Sequence, residues 1–379
     1  MINNPIPALI EWRKEYGEIY QLNRGKVGGI VLCKPDYIQQ VLQKKHRLIE
    51  KSLIQSKLLA RYVGKGLLTS TGNYWLQQRR AIQPGFHKQR LEGIGSTIAN
   101  EIELFSEVLE EVANSGQPVN LSKLMMEISF KIIGRSLFGE DQLDENLAFI
   151  GHVVAVVQAH VVHTIRTPFL NQPREWLKIP QKYLNLIKQA DRIIYEVIDK
   201  RKSSGAVKDD LLTMLMEVTY SDTGEGMTLT QLRDEALILF VAGFETTANA
   251  LTWLWYLLDK HPKVVKQLQQ EAEAVLQNGQ PTFADLKKLS YTKQVIQETM
   301  RLFPPAWSTD RVVLDDFDID GYAIKKGNVV IPFIYGVHHN EQYWEDADTF
   351  KPERFSEEQT AKRPPFAYFP FGGGPRLCW

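Results

Sequence analysis

The segment from Thr228 to Lys260 restricts the possible folds of this chain more than any other part of its sequence. Thr228 and Gln231 have the spacing of a capping box, and His261-Pro262 predicts where the helix ends. A helix of this length measures roughly 45 to 50 Å, because each residue adds about 1.5 Å. Such a helix crosses a whole domain. Its flanks are apolar on all sides, so we expect it to be buried.

The charge and cysteine content exclude several classes of protein. Lys and Arg together number 45, as do Asp and Glu, so the formal net charge is zero. A nucleic-acid-binding protein needs a basic surface to neutralise phosphates, and this balance argues against one. The two cysteines, Cys33 and Cys378, are too few for a disulfide framework and suit a reducing compartment. We therefore expect a cytoplasmic protein that binds no nucleic acid.

The hydropathy of the chain does not predict a membrane anchor. The residues before Tyr16 contain an apolar run that is too short for a signal core or an anchor. Ile238 to Leu258 is the only segment of membrane length that the sequence suggests. Glu245 and Asn249 lie at its middle, where lipid makes a charge costly. We therefore interpret this segment as a core helix.

Helical periodicity dominates the rest of the chain. Amphipathic helices are predicted at Ser96 to Asn114, Leu121 to Phe138, Gln181 to Lys202 and Asp209 to Val218. Strand patterns are limited to a hairpin within Gly17 to Leu32, around a Gly-rich turn, and to Arg311 to Pro332. Asn340 to Cys378 has no helical period, and no linker divides the chain. The sequence predicts a mainly α fold, one large domain over residues 1–379 with a minor β region and a long central helix.

The centre of the long helix breaks the rules for a core helix. Gly243 lowers helix stability by about 1 kcal/mol, and a buried Glu245 must be paired or neutralised. Small residues at Ala242 and Gly243 would let a flat ligand approach the backbone, while Glu245 and Thr246 could relay a proton to that ligand. The alternative is a glutamate in a water-filled niche and threonines bonded to the carbonyl four residues back.

Two further patterns concern structure. Glu298 and Arg301 are three residues apart on a predicted helix, which taken alone favours a surface ion pair. Leu302 to Pro305 then ends the helix sharply, and Arg354 follows much later in Pro352 to Phe355. Two arginines and one buried glutamate could therefore join distant loops.

The C-terminal segment Phe371 to Cys378 is the strongest chemical signal. Three glycines before a lone cysteine allow a tight turn whose backbone N–H groups point at the sulfur, and Arg376 adds positive charge. A thiolate in such a turn suits an iron ion. The segment does not match a phosphate-binding loop, which requires GxxxxGK after a strand. A nucleophilic cysteine with a histidine that is close only in space remains an alternative.

Together these motifs resemble the cytochrome P-450 family of haem-thiolate monooxygenases, over essentially the whole chain. The ligand loop FxxGxRxC is matched by Phe371, Gly374, Arg376 and Cys378. The oxygen-binding helix (A/G)Gx(D/E)T(T/S) is matched by Ala242 to Thr247. The ExxR motif is matched by Glu298 and Arg301 and is completed by Arg354 of PERF. The WxxxR motif is matched by Trp75 and Arg79, and Arg311 lies where members often place another propionate ligand.

The resemblance implies a mechanism and a set of roles. Cys378 would ligate the iron of haem b, and one atom of O2 would enter a C–H bond of a hydrophobic substrate. Thr246 and Glu245 would be catalytic, through the bound oxygen and its protons. The remaining cofactor-binding residues would be Trp75, Arg79, Arg311, Arg376, Phe371 and Gly243. Glu298, Arg301 and Arg354 would be structural. A haem-dependent isomerase or peroxygenase, and a catalytically impaired haem-binding fragment, are the alternatives.

Substrate and electron donor are less constrained. The segments Tyr62 to Asn73 and Thr164 to Ile179, where the family builds its substrate lid, are rich in apolar residues and suggest a fatty acid or a terpenoid, although ordinary loop packing would look the same. A ferredoxin or a flavoprotein reductase would supply electrons. A basic cluster could dock this acidic partner or could simply be solvated: Arg79, Arg80, His87, Lys88 and Arg90.

The chain departs from the family pattern at both ends. Members continue past the cysteine with a glycine and a helix that packs on the proximal face of the haem, whereas this chain ends at Trp379. The usual proline-rich N-terminal lead is also absent. From the sequence we therefore expect a fragment with weakened haem binding.

Overall fold

A computed structural model of the chain describes residues 4–24, 27–139, 144–277 and 279–378. The chain forms two compact units. The first comprises Met1–Leu53, Ala250–Gln277 and Lys287–Trp379, and the second comprises Ile54–Asn249 and Asn278–Leu286. The predicted assignment of one domain to residues 1–379 stays a prediction.

Helices dominate, as predicted, and the β structure is small. In chain order the α-helices are α1 (Ile6–Tyr16), α2 (Pro35–Gln39), α3 (Ala60–Val63), α4 (Gly72–Ile82), α5 (Lys88–Ser115), α6 (Leu121–Phe138), α7 (Asp144–Arg166), α8 (Asn171–Trp176), α9 (Ile179–Ser204), α10 (Leu211–Met216), α11 (Leu229–Lys260), α12 (Pro262–Leu276), α13 (Ser290–Leu302), α14 (Ile334–His338) and α15 (Glu357–Lys362). Short π-helical segments lie at Gln40–Lys44 and Ile54–Leu59, and 3-10 turns include Pro352–Phe355 and Gly374–Arg376.

Among the described residues, all the strands belong to the first unit. They are β1 (Ile19–Arg24), β2 (Val27–Leu32), β3 (Ile49–Lys51), β4 (Arg311–Val313), β5 (Phe317–Ile319), β6 (Tyr322–Ile324) and β7 (Val329–Pro332). Within the described residues, one sheet has the order β1-β2-β7-β4-β3, and β5 and β6 form a separate antiparallel pair. The predicted hairpin is confirmed as the antiparallel pair of β1 and β2, although its turn at residues 25 and 26 lies outside the described residues. The predicted strands after Arg311 are confirmed as well.

The predicted helices agree with the structure to different degrees. Leu121 to Phe138 is α6, and Ser96 to Asn114 and Gln181 to Lys202 lie inside the longer α5 and α9. The segment predicted from Asp209 to Val218 is helical only over α10. This helix begins after Asp210, which is its N-cap. The Asp210 side chain accepts a hydrogen bond from the backbone N–H of Thr213 at 2.8 Å.

The long helix α11 begins as predicted. Thr228 N donates to the Gln231 side chain at 2.8 Å and Gln231 N donates to the Thr228 hydroxyl at 3.3 Å, which completes the capping box. Residues from Leu232 to Phe240 are mostly buried in the core of the second unit.

The expectation that all of α11 is buried is wrong. Trp253, Trp255 and Tyr256 are between 40% and 49% exposed. Over this part of the helix, Leu257 and Leu258 pack into a core cluster of the first unit, while Trp253 stacks on Phe303 with ring centroids 4.0 Å apart. A helix with apolar residues on every side is buried only where other parts of the protein pack against every side, and the sequence of the helix alone does not show this.

Two helices are long and apolar enough to cross a membrane by length and composition, Leu229–Lys260 and Glu145–Arg166. The statement that Ile238 to Leu258 is the only such segment is therefore wrong. Core helices of soluble proteins pass the same test. In α7 the residues Val153, Val154, Val157 and Val161 are buried in the core of the second unit, and 44% of the apolar window of this helix is buried.

Candidate active site

The cysteine loop of the first unit is a tight turn with its own hydrogen bonds. Gly372 N donates to Phe369 O at 3.0 Å, Leu377 N donates to Gly374 O at 3.1 Å, and Cys378 N donates to Phe371 O at 3.1 Å. The Cys378 thiol is exposed. The loop therefore presents a sulfur atom on a backbone that is hydrogen-bonded at Cys378 and at the residues before it.

Gly374 is required by a close approach between two backbone segments. Its φ is +68°, and a Cβ added there would lie 1.9 Å from the carbonyl oxygen of Leu42. Leu42 belongs to the π-helical segment Gln40–Lys44, and such segments often occur at functional sites. Only glycine lets the cysteine loop pack directly on this turn.

A cluster of positive charge lies beside Cys378. Lys51 on β3 pairs directly with Arg311 on β4. Burial lowers the pKa of Lys51 well below its ordinary value, and the charges of Arg311 and Arg376 lower it further, whereas Asp310 and Cys378 act in the opposite direction.

The guanidinium of Arg311 is held within this cluster. It is 5% exposed and donates to the Thr309 hydroxyl at 2.8 Å and to Asp310 O at 2.6 Å. Burial also lowers its pKa. The Asp310 carboxylate accepts a hydrogen bond from Ser52 at 2.6 Å. An anionic ligand beside these basic groups would raise their lowered pKa values and so favour their charged forms.

Lys51 was missed by the sequence reasoning. It lies far from every motif and reaches the cluster only because β3 pairs with β4. Spacing along the chain gives no signal for such a contact.

Glu298 and Arg301 form a buried network, which rules out the surface ion pair. Both side chains are 0% exposed. Arg301 Nε and Nη2 donate to Glu298 Oε2 and Oε1 at 2.6 and 2.8 Å, and Lys351 N donates to Glu298 Oε1 at 3.0 Å. Arg354 Nε lies 3.4 Å from Glu298 Oε1. The prediction that two arginines and a glutamate join distant loops is confirmed.

Arg301 extends this network to two further segments. Its Nη1 donates to His338 O and Ala347 O, each at 2.7 Å, and its Nη2 donates to Thr349 O at 3.3 Å. One guanidinium therefore connects α13, α14 and the loop that follows α14.

The acid and the hydroxyl at the centre of α11 both have partners in the second unit. Glu245 accepts a hydrogen bond from the side-chain amide of Gln158 on α7. The Thr246 hydroxyl donates to Ala242 O, four residues back, at 2.8 Å. This is the backbone bond that the structural alternative predicts, and the hydroxyl oxygen still has a lone pair to accept another bond. Gln158 was missed because its helix carries no motif.

Gly243 packs against Ile133. A Cβ at Gly243 would lie 2.8 Å from Ile133 Cδ1, so the small residue is explained by packing within the second unit. Its neighbour Ala242 is exposed.

Trp75 and Arg79 lie four residues apart on α4, on one face of that helix, and both are half-buried. Gln78 on the same helix is fully buried and donates to the Tyr220 hydroxyl at 2.6 Å. This contact fixes α4 within the second unit.

Comparison with known proteins identifies the family. The model of the family "Cytochrome P450" matches residues 3–379. The chain belongs to the cytochrome P-450 family.

Three curated relatives of this cytochrome P-450 share 28% to 29% of its residues. A cyclooctat-9-en-7-ol 5-monooxygenase of Streptomyces melanosporofaciens is 28% identical over 96% of this chain and 78% of its own length. A cyclooctatin synthase of the same organism is also 28% identical, with the same coverage. A cytokinin hydroxylase of Arabidopsis thaliana is 29% identical over 100% of this chain and 75% of its own length.

The chain is a monooxygenase of the cytochrome P-450 type, and this family implies a haem cofactor. The described residues of the first unit fit such a group, because haem needs one thiolate and counter-charges for its two carboxylates. Cys378 offers an exposed sulfur, and Lys51, Arg311 and Arg376 form a positive cluster beside it. Within the described residues no group of three or more His, Cys, Asp or Glu is placed to bind a metal.

Proposed function

We propose that this cytochrome P-450 binds haem b through Cys378 and oxidises an apolar substrate with electrons from a separate protein. The observation that carries the proposal is the exposed Cys378 thiol in a glycine turn beside the cluster of Lys51, Arg311 and Arg376. When bound, haem supplies the iron at which O2 is activated.

The residues proposed to bind the cofactor fall into two groups, those that bind its propionates and those that lie against its macrocycle. Following the family resemblance, Arg311, Arg376, Trp75 and Arg79 are proposed to bind the propionates. Phe371 is 50% exposed and offers an apolar face for the macrocycle. Gly243 is proposed to let the cofactor approach the backbone of α11, because glycine has no side chain.

Protons are proposed to reach the reacting oxygen through Thr246 and Glu245. The hydroxyl of Thr246 accepts or donates a hydrogen bond beside the oxygen, and the Glu245 carboxylate exchanges protons with water. The amide of Gln158 fixes the orientation of that carboxylate.

The substrate is proposed to be hydrophobic, such as a fatty acid or a terpenoid. Support comes from the two segments predicted to form a lid. Arg61, next to the first segment, makes a bidentate ion pair with Glu175 in the second. Phe169 and Trp176 are 72% and 83% exposed, so this part of the second unit presents apolar rings to its surroundings.

The electron donor is proposed to be an acidic ferredoxin or flavoprotein reductase that docks on Arg80, His87 and Lys88, which are exposed. Arg90 belongs to this basic cluster by sequence, but it forms ion pairs with Glu217 at 3.0 Å and with Asp209 at 3.5 Å. We therefore assign it to the scaffold.

A cytoplasmic location is proposed on the cysteine content alone.

The carbon-monoxide spectrum of the reduced protein tests whether a thiolate binds the haem. The variant Thr246→Ala tests whether Thr246 takes part in proton delivery. The alanine variant should retain haem but divert reducing equivalents to peroxide, whereas Thr246→Ser should keep donor consumption coupled to product. Equal coupling in the native protein and the alanine variant would remove Thr246 from the mechanism. Turnover that needs added peroxide and no electron donor would identify a peroxygenase.

A further inference from the structure

His338 at the end of α14 is fully buried in the first unit, and the mechanism above does not use it. Its Nε2 accepts a hydrogen bond from Phe369 N at 3.1 Å. Phe369 lies nine residues before Cys378, where the chain enters the cysteine loop. A side chain from another part of the sequence thus binds the backbone at the start of that loop.

The ring of His338 is a neutral acceptor. Burial lowers its pKa well below the ordinary value, and the charges of Arg301 and His339 lower it further. Because Nε2 accepts from a backbone N–H, the single ring hydrogen is on Nδ1. The backbone of Met300 and Arg301, at the carboxyl end of α13, lies near the ring, but Nδ1 has no hydrogen-bond partner among the described residues.

The hydrogen bond from Phe369 continues toward the sulfur through the loop backbone. Phe369 O accepts from Gly372 N at 3.0 Å, and Phe371 O accepts from Cys378 N at 3.1 Å. Phe371 O and Gly372 N belong to the same peptide group, so the two loop bonds are coupled, and Phe369 connects them to His338. The position of the His338 ring therefore fixes Phe369, the first residue in this series of hydrogen bonds.

His338 is itself immobilised. Its carbonyl accepts from Arg301 Nη1 at 2.7 Å, and its ring stacks against Tyr368 with centroids 5.3 Å apart. The Glu298–Arg301 network and the cysteine loop are consequently joined by one residue.

We propose that His338 is a positioning residue for Cys378. By accepting the hydrogen bond from Phe369 N, it fixes the register of the cysteine loop and so the position of the sulfur. This inference rests on the proposed role of Cys378 as the haem ligand. His338 does not touch the sulfur and takes no part in the chemistry.

The test compares His338→Gln with His338→Met in the haem-loaded protein. The two side chains have similar length and volume, but only glutamine carries an oxygen that can accept from Phe369 N. Tyr368→Phe is the control, because it changes the other ring of the same stack and removes a buried hydroxyl with no hydrogen-bond partner among the described residues. The measurements are amide exchange of Phe369 and the fraction of the reduced carbonyl complex that keeps its thiolate signature.

In the methionine variant we expect Phe369 to exchange about tenfold faster than in the native protein, the effect of losing one hydrogen bond, and the thiolate fraction to fall. The glutamine variant and Tyr368→Phe should remain close to the native protein in both measurements. Equal losses in the glutamine and methionine variants, or no loss in either, would overturn the proposal.

The native protein gives an independent check if neither variant folds. Its Phe369 amide should exchange as slowly as core amides, and exchange at the rate of an exposed amide would also overturn the proposal. This measurement does not depend on the haem ligand. A slow Phe369 amide in a protein without a thiolate signature would contradict the proposed function and leave the contact with His338 intact.

Discussion

Replacing Glu298 with glutamine is expected to destabilise the first unit strongly. The change keeps the shape of the side chain but removes its charge at a site with no exposure. Two hydrogen bonds from Arg301, at 2.6 and 2.8 Å, depend on the carboxylate. The glutamine amide group would direct its own N–H donors at the guanidinium, so one of these bonds becomes a contact between two donors.

The magnitude follows from the burial of the pair. Removing one partner of a buried ion pair costs about 3 to 5 kcal/mol, because the remaining charge is left uncompensated. Here Arg301 and Arg354 both lose their counter-charge. Since native proteins are stable by only about 5 to 15 kcal/mol, the loss is a large fraction of the total.

The assay is urea unfolding followed by circular dichroism, together with the haem content of the purified protein. Glu358→Gln is the matched control. Glu358 pairs with Lys362 one turn along α15, and both side chains are more than 60% exposed. Removing that pair should cost no more than about 0.5 kcal/mol. A loss below about 1 kcal/mol for Glu298→Gln would refute the reasoning that the network stabilises the fold.

Three other outcomes are expected. Cys378→His should abolish the thiolate signature of the reduced carbonyl complex, while Cys33→Ser should preserve it, because Cys33 is buried and burial raises the pKa of its thiol; the reverse result would reassign the ligand. Gly374→Ala should prevent the cysteine loop from packing and lower haem occupancy, whereas Gly372→Ala, also at positive φ but with open space around it, should cost only about 1 to 2 kcal/mol. Burial raises the pKa of Glu235 to about 8. This carboxyl group then keeps its proton in the folded protein up to higher pH than in the unfolded chain, so its contribution to stability should fall from about pH 4.5 to about pH 8, and Glu235→Gln should flatten the pH dependence of the urea midpoint.

Local sequence patterns predicted the elements that depend on neighbours along the chain. The capping box at Thr228 and the proline after His261 define α11 because caps and breakers act within a few residues. The glycines before Cys378 predicted a tight turn for the same reason.

Contacts between distant segments could not be predicted in this way. Lys51 reaches the positive cluster through strand pairing, and Gln158 reaches Glu245 from a helix without a motif. The spacing of Glu298 and Arg301 gave no sign of their burial, which depends on loops about 40 to 50 residues further on. Where a contact joins distant parts of the chain, its geometry is a property of the fold.

The pairing of β2 with β7 also has a consequence for synthesis of the protein. Gly29 to Leu32 pair with Val329 to Pro332, so the two strands are separated by 300 positions in the chain. On the ribosome, β2 must wait until almost all of the described chain has emerged. Residues 54–249, which include the core of the second unit, are complete well before that point. Because domains fold as their residues emerge, the second unit should fold during translation, and the sheet next to the cysteine loop should form last.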